Sequence, residues 1–459
     1  MKIHILGIGG TFMAGLAVLA KQLGFEVSGS DEKVYPPMST QLQDQAILLK
    51  EGYQIQHLKP SPDCVVIGNV IRRDNPVVEY ILNEKLNFIS GPQWLYETIL
   101  KKKRVIAISG THGKTTTSSL VAHIFEQAGL NPGFLIGGIP ENFGISARIT
   151  ESPFFIIEAD EYDSAFFDKR PKFMHYYPES LIINNIEFDH ADVFSDLESI
   201  QTQFHYLVRT VPSKGCIVVP AKEKVVDEVL ARGCWTPNIS FGLCLGDWQA
   251  KKMNEEGSQF HVFYKNQFYG EVNWNLIGMH NVKNALAALA VAEYLGISKN
   301  KVLEALHSFR NVKRRLEVKG VERGITVYDD FAHHPTAIET TLSGLRARIG
   351  EQRLIVLLEL GSYSMKAGVH KDSLIPALAQ ANEIYFLRPS KKMWDIETSV
   401  NQLNVPHAIF NSVEEMISTI LPRLRSQDHV VAMSNSAFED VHEKLLLALR
   451  SGASKVVIG

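Results

Sequence analysis

The residues most able to do chemistry form the run Gly110-Thr111-His112-Gly113-Lys114-Thr115-Thr116. A glycine-rich turn between a strand and a helix turns backbone N–H groups and the positive helix end toward phosphate oxygens. Lys114 would reach the terminal phosphates of a nucleotide, and the Thr115 hydroxyl would hold Mg²⁺. The full motif has a glycine five residues before Gly113, where Ile108 stands, so this turn is a shortened form. Its plain alternative is a tight strand–helix turn that happens to contain lysine. Two acidic segments follow. Phe154–Glu158 is an apolar run ending in Glu158-Ala159-Asp160-Glu161, and a carboxylate at the end of a parallel strand suits Mg²⁺. Leu181–Ile183 leads into Asn184-Asn185-Ile186-Glu187-Phe188-Asp189-His190, a second set of metal or phosphate ligands or else a solvated acidic loop.

Other segments are weaker singly. Gly7-Ile8-Gly9-Gly10-Thr11-Phe12 resembles a dinucleotide turn, but Phe12 stands where the third glycine belongs. An NAD site is thereby disfavoured, while a phosphate-bearing ligand or a bare turn both remain open. Asp31, just past the second strand, is placed to contact a ribose or base. Asn281 and Asn284 share one helical face, where amides can read an adenine edge or cap the helix. Arg315 could neutralise a transferring phosphoryl group, and Asp330, at a strand end, could contact the nucleotide. His333 and His334, before Pro335, are either a surface loop or substrate contacts in a cleft.

The elements that must position these residues alternate between strand and helix throughout 459 residues, a length for two or three domains. Strands are expected at Lys2–Leu6, Glu26–Ser30, Cys64–Gly68, Val105–Ser109, Ile325–Asp330, Leu354–Glu359, Glu383–Leu387 and His429–Ser434. Phe12, Leu16, Leu19 and Leu23 fall at helical spacing. The alternation predicts an α/β protein with parallel sheets covered by helices on both faces. Boundaries are expected at 1–102, 103–312 and 313–459, with an excursion around 233–275. A net charge of −3 offers no excess positive charge to nucleic acid or an anionic membrane. The four cysteines form no CxxC pair, which suits a reducing cytoplasm and argues against zinc or a disulfide framework. The N-terminal apolar stretch is too short and broken for a signal peptide or membrane span.

Taken in order, GTHGKT (110–115), EADE (158–161), NIEFDH (185–190), HNVKN (280–284), RR (314–315) and DDFAHHPT (329–336) resemble the Mur ligases, the bacterial cell-wall ligase family. The resemblance covers essentially the whole chain. It implies a UDP-binding Rossmann-like N-terminal domain, a central P-loop ATPase-type sheet and a C-terminal Rossmann-like domain that closes over the site. It also implies ATP and Mg²⁺, a cytoplasmic bacterial enzyme, and a monomer or homodimer. The turn GIGGTFMAGLA and the DDFAHHPT segment are similar to the branch that uses UDP-N-acetylmuramate. Within it, Thr11-Phe12-Met13, Val34–Thr40, Ser90–Trp94 and Glu161–Arg170 resemble the recycling member, which takes the murein tripeptide L-alanyl-γ-D-glutamyl-meso-diaminopimelate rather than free L-alanine.

By that resemblance Lys114, Glu158, His190 and Arg315 are the catalytic set, with Thr115, Glu158 and His190 on metal. Gly110, Thr111, His112, Gly113, Thr116, Asn281, Asn284 and Asp330 join Lys114, Thr115 and Arg315 around ATP. Gly7, Gly9, Gly10, Thr11, Phe12, Met13, Asp31 and Asn69 would hold the UDP-sugar, and His333, His334 and Lys366 the amine substrate. Two departures stand out. Several family members bridge metals with a carbamylated lysine beyond the His190 position, whereas residues 191–213 contain no lysine and His205 stands near that place. The recycling pattern also has arginine where this chain has Gly361.

Overall fold

The computed structural model describes residues 1–388 and 394–453, which form three large sheets and one two-stranded hairpin. The first is wholly parallel, in the order Leu48–Glu51, Glu26–Asp31, Lys2–Leu6, Cys64–Ile67, Phe88–Ser90. The second centres on Arg104–Ser109, which pairs in parallel with Phe154–Glu158 on one side and Ser180–Ile183 on the other. In the third, Ile325–Asp330, His429–Met433, Leu354–Glu359, Glu383–Leu387 and His407–Phe410 run parallel. These central strands read as unbroken apolar runs because helices bury both of their faces. Residues Val105 to Ile108 and Leu354 to Leu358 are all buried.

Strand–helix alternation predicted parallel sheets, and antiparallel edges are the part it missed. The 233–275 excursion is an extension of the central sheet: Trp248–Lys252, Gln259–Tyr264 and Gln267–Asn273 form an antiparallel meander. Glu317–Glu322 likewise pairs antiparallel with Ile325–Asp330. Tight turns make such pairs local, with no crossover helix to announce them.

The helix Thr11–Gln22 was expected to bury one face, but Met13 through Ala20 are all buried. It is clasped between two sheets. A Cβ on Gly15 would sit 2.3 Å from the Leu135 side chain of the central sheet, so glycine permits the close approach. The Gln41 side chain accepts the Ser146 N–H at 2.8 Å across the same seam. One continuous apolar core therefore spans the first two sheets, running from Ile3, Leu16 and Val66 to Ala107, Leu135 and Phe204. The third sheet has cores of its own on its two faces. No helix among the described residues is long and apolar enough to cross a membrane.

Candidate active site

The phosphate turn leaves the middle strand of the central sheet and opens the helix Lys114–Gln127. Gly110 and Gly113 have φ of +125° and +80°, a backbone region that favours glycine. A Cβ on Gly113 would meet the Asn284 side chain at 2.6 Å, and one on Gly110 the Asn185 carbonyl at 2.9 Å. The turn is braced by its neighbours. Asn185 Oδ1 accepts the His112 N–H at 2.8 Å, and Asn184 donates to the Thr117 hydroxyl at 3.0 Å.

Lys114 donates to the Gly110 carbonyl at 2.7 Å and to Glu161 at 2.9 Å. Burial works against its charge, but Glu161 and Asp160 outweigh it and raise the ammonium to about 12. The Thr115 hydroxyl donates to Glu158 at 3.1 Å and accepts from the Arg315 guanidinium at 3.1 Å. The other Glu158 oxygen accepts the Gly137 N–H at 2.7 Å. Burial pushes the Glu158 carboxyl up, against the pull of Lys114. Arg315 thus reaches from the edge of the third sheet to the helix that carries Lys114.

Asp330 reaches the site through the backbone: its two oxygens accept the Leu316 N–H at 2.6 Å and the Ala332 N–H at 2.8 Å, fixing the turn after Arg315. Arg314 points away, pairing with Asp329 at 3.2 Å and donating to the Ser434 and Ser436 carbonyls. Phe331 lies 5.1 Å from the Arg315 guanidinium, within range of a cation–π contact.

A cleft of about 770 Å³ runs between the sheets. Thr11, Thr111 to Thr116, Glu158, His190, Asn281, Asn284, Arg315, Asp330, His333 and His334 line it. Gly7, Gly9, Gly10, Phe12, Met13, Asp31, Asn69, Gly110 and Lys366 lie outside that lining. Asn281 and Asn284 are not free to present both amides to a base. Asn281 donates to the Ile277 carbonyl at 2.8 Å, and Asn284 to Asn281 at 3.2 Å. Asp31 binds the glycine turn itself, accepting the Gly9 N–H at 2.8 Å and the Tyr53 hydroxyl at 3.2 Å.

Two groups have donor sets that fit a cation. The ligating atoms of Asp160, Glu161 and His190 lie within 4.8 Å of one another, as do those of His112, Glu187 and His334. The hydroxyl–carboxylate pair Thr115–Glu158 adds oxygen donors of the kind Mg²⁺ prefers. Burial holds His280 and His333 neutral, with values near 4, and His333 belongs to the cleft wall carried by the third sheet. Glu187 ties that wall to the central sheet by accepting the Thr336 hydroxyl at 2.6 Å. Sequence reasoning gave no role to this contact or to the resting Lys114–Glu161 pair. At Gly361, the position of the expected arginine, a Cβ would come within 2.2 Å of the Asn435 side chain, so Asn435 fills that space.

The Mur ligase family catalytic domain matches residues 2–103, the Mur ligase middle domain 108–292, and the Mur ligase glutamate ligase domain 314–436. The chain belongs to the Mur ligase family. A UDP-N-acetylmuramate–L-alanyl-gamma-D-glutamyl-meso-2,6-diaminoheptandioate ligase from Haemophilus influenzae is 49% identical over 98% of this chain and 99% of its own. The crystal structure of a murein peptide ligase from Psychrobacter arcticus matches 98% of both chains at 43% identity, with a TM-score of 0.79. A UDP-N-acetylmuramate–L-alanine ligase from Clostridium acetobutylicum is 32% identical over 93% of each chain.

Proposed function

We propose that the chain is an ATP-dependent, ADP-forming amide ligase. It joins the lactyl carboxylate of UDP-N-acetylmuramate to the L-alanyl amine of L-alanyl-γ-D-glutamyl-meso-diaminopimelate, returning a salvaged wall peptide to a nucleotide-linked precursor in murein recycling. The observation that carries the chemistry is the junction at Thr115, where Glu158 of the central sheet and Arg315 beside the third sheet meet one hydroxyl. The choice of tripeptide rests on 49% identity across the full length, against 32% for the alanine-adding relative.

A carboxylate is a poor acyl donor, so ATP must first supply a leaving group. A lactyl oxygen attacks the γ-phosphorus and ADP departs, leaving an acyl phosphate. The unprotonated alanyl amine then attacks the carbonyl carbon, and phosphate leaves from the tetrahedral intermediate as the nitrogen loses a proton. The protein contributes positioning and charge neutralisation. Lys114 and Arg315 neutralise the γ-phosphoryl group, and the turn Gly110–Thr115 holds the phosphates through its N–H groups. Thr115 and Glu158 would hold Mg²⁺, and Glu161 and His190 a second ion, and the charge of such ions would neutralise phosphate oxygens. The turn Gly7–Met13 orients the UDP-sugar, and His333 and His334 face the incoming amine. Closure of the third sheet completes the site.

The test supplies UDP-N-acetylmuramate, Mg²⁺ and ATP with either L-alanine or the tripeptide and weighs the products. The tripeptide adduct should form faster; faster ligation of free L-alanine would overturn the recycling assignment in favour of the alanine ligase. Phosphate release that ignores both amines would point to a nucleotide-binding sensor.

A further inference from the structure

Lys172 is a buried lysine that the mechanism above does not use. It is 7% exposed and starts the short segment Lys172–His175, just past the hairpin formed by Asp163–Ala165 and Asp168–Pro171. Its ammonium lies 2.8 Å from Asp160 Oδ2 and 5.6 Å from the ring centres of both Phe12 and Tyr162. Both rings are within cation–π range. The backbone is pinned as well: the Lys172 N–H donates to the Tyr162 carbonyl at 2.8 Å, and the Phe173 N–H to the Asp160 carbonyl at 3.3 Å.

Lys114 is the contrasting case. It also approaches Asp160, at 3.9 Å, and it pairs with Glu161, but it lines the open cleft. A polyphosphate arriving there would draw Lys114 away and leave Glu161 available to a metal ion, beside His190 at 3.0 Å. Lys172 has no such freedom, being absent from the cleft lining and held between two rings. Asp160 lines the cleft with its side chain 27% exposed, so Lys172, behind it, is the partner that stays when Lys114 is drawn away.

We infer that Lys172 is a fixed internal counter-ion that keeps Asp160 out of the metal shell, so that the second cation is held by Glu161 and His190 without Asp160. This rests on the proposed metal role of Glu161 and His190. Lys172 is thus a positioning residue, acting through Asp160.

The experiment is a Mn²⁺ titration of the full chain, followed by electron paramagnetic resonance with a non-hydrolysable ATP analogue bound, alongside product formation. Asp160→Asn should keep Mn²⁺ affinity within about twofold of wild type, as expected for a group outside the shell. Lys172→Met frees the Asp160 carboxylate, so Mn²⁺ should bind roughly tenfold more tightly. Product formation in the same variant should fall about tenfold or more, as expected when a misplaced cation disturbs the reacting geometry. Lys172→Arg should restore wild-type Mn²⁺ affinity. A merely structural role would weaken binding and turnover together, and that result in Lys172→Met overturns the inference. Should Lys172→Met not fold, Asp160→Asn decides alone: a tenfold loss of Mn²⁺ affinity would make Asp160 a ligand. Wild-type protein that binds no Mn²⁺ with nucleotide would sink the proposed metal reading as well, whereas a loss confined to Asp160→Asn leaves that reading intact.

Discussion

The chain has two glycine turns in matching places, each between a central strand of a parallel sheet and the helix that follows, and they are equipped for opposite tasks. At Gly110–Thr115 the helix begins with Lys114 and Thr115, and carboxylates and an arginine close in on both. At Gly7–Met13 the helix begins with Thr11 and Phe12, and the charged side chain at the turn, Asp31, is engaged by the turn's own Gly9 N–H. Similar backbone geometry can present N–H groups to phosphate in either place. On the proposed function, what separates the reacting turn from the holding turn is the set of charges brought to it by the surrounding elements.

Three substitutions bear on that contrast. The largest effect belongs to Lys114→Ala, which should cut product formation by roughly 100- to 1,000-fold while calorimetric UDP-sugar binding persists. Loss of both in a folded protein would erase the division between the turns. Asp31→Asn should do the reverse. It weakens the bond to the Gly9 N–H, so KM for the UDP-sugar should rise by about tenfold with kcat little changed, the size expected for a charge-assisted hydrogen bond. A fall in kcat without a change in KM would show that the first turn also serves the reaction.

The smallest effect concerns the wall facing the reacting turn. Burial depresses His280 to about 4, so the unfolded chain takes up a proton that the folded chain refuses as pH falls below 6.5. The stability this gives is complete above pH 6.5 and is lost as pH falls toward 4, by about 1.4 kcal/mol per pH unit at most. Denaturant midpoints of His280→Gln should fall less steeply than those of wild type between pH 6.5 and 4.5. Equal slopes would mean that His280 can be protonated within the folded cleft.

The parallel strands were legible because burial on both faces writes them as apolar runs, as at Val105–Ile108 and Leu354–Leu358. The antiparallel meander was not, since half-exposed strands such as Gln259–Tyr264 alternate in burial and carry polar residues. Among the candidate site residues, Lys114 and Thr115 stood out because a lysine after a glycine turn has a single strong chemical use. Lys172 did not, for its meaning comes from Asp160 and Phe12, which are brought beside it by the hairpin and by a different sheet. The amides of Asn281 and Asn284 were visible as a pair, but not the inward bonds that occupy them.

The shared core of the first two sheets has a bearing on the order of events. With Leu135 seated against Gly15 and Gln41 bonded to Ser146, the turns Gly7–Met13 and Gly110–Thr115 belong to two sheets packed on one core. Their separation is set when the chain folds rather than when substrates arrive. The third sheet has cores of its own, and in the proposed mechanism it is the member that closes, carrying Arg315, His333 and His334. In that mechanism the donor carboxylate and ATP meet on a finished platform, while the amine arrives with the moving wall.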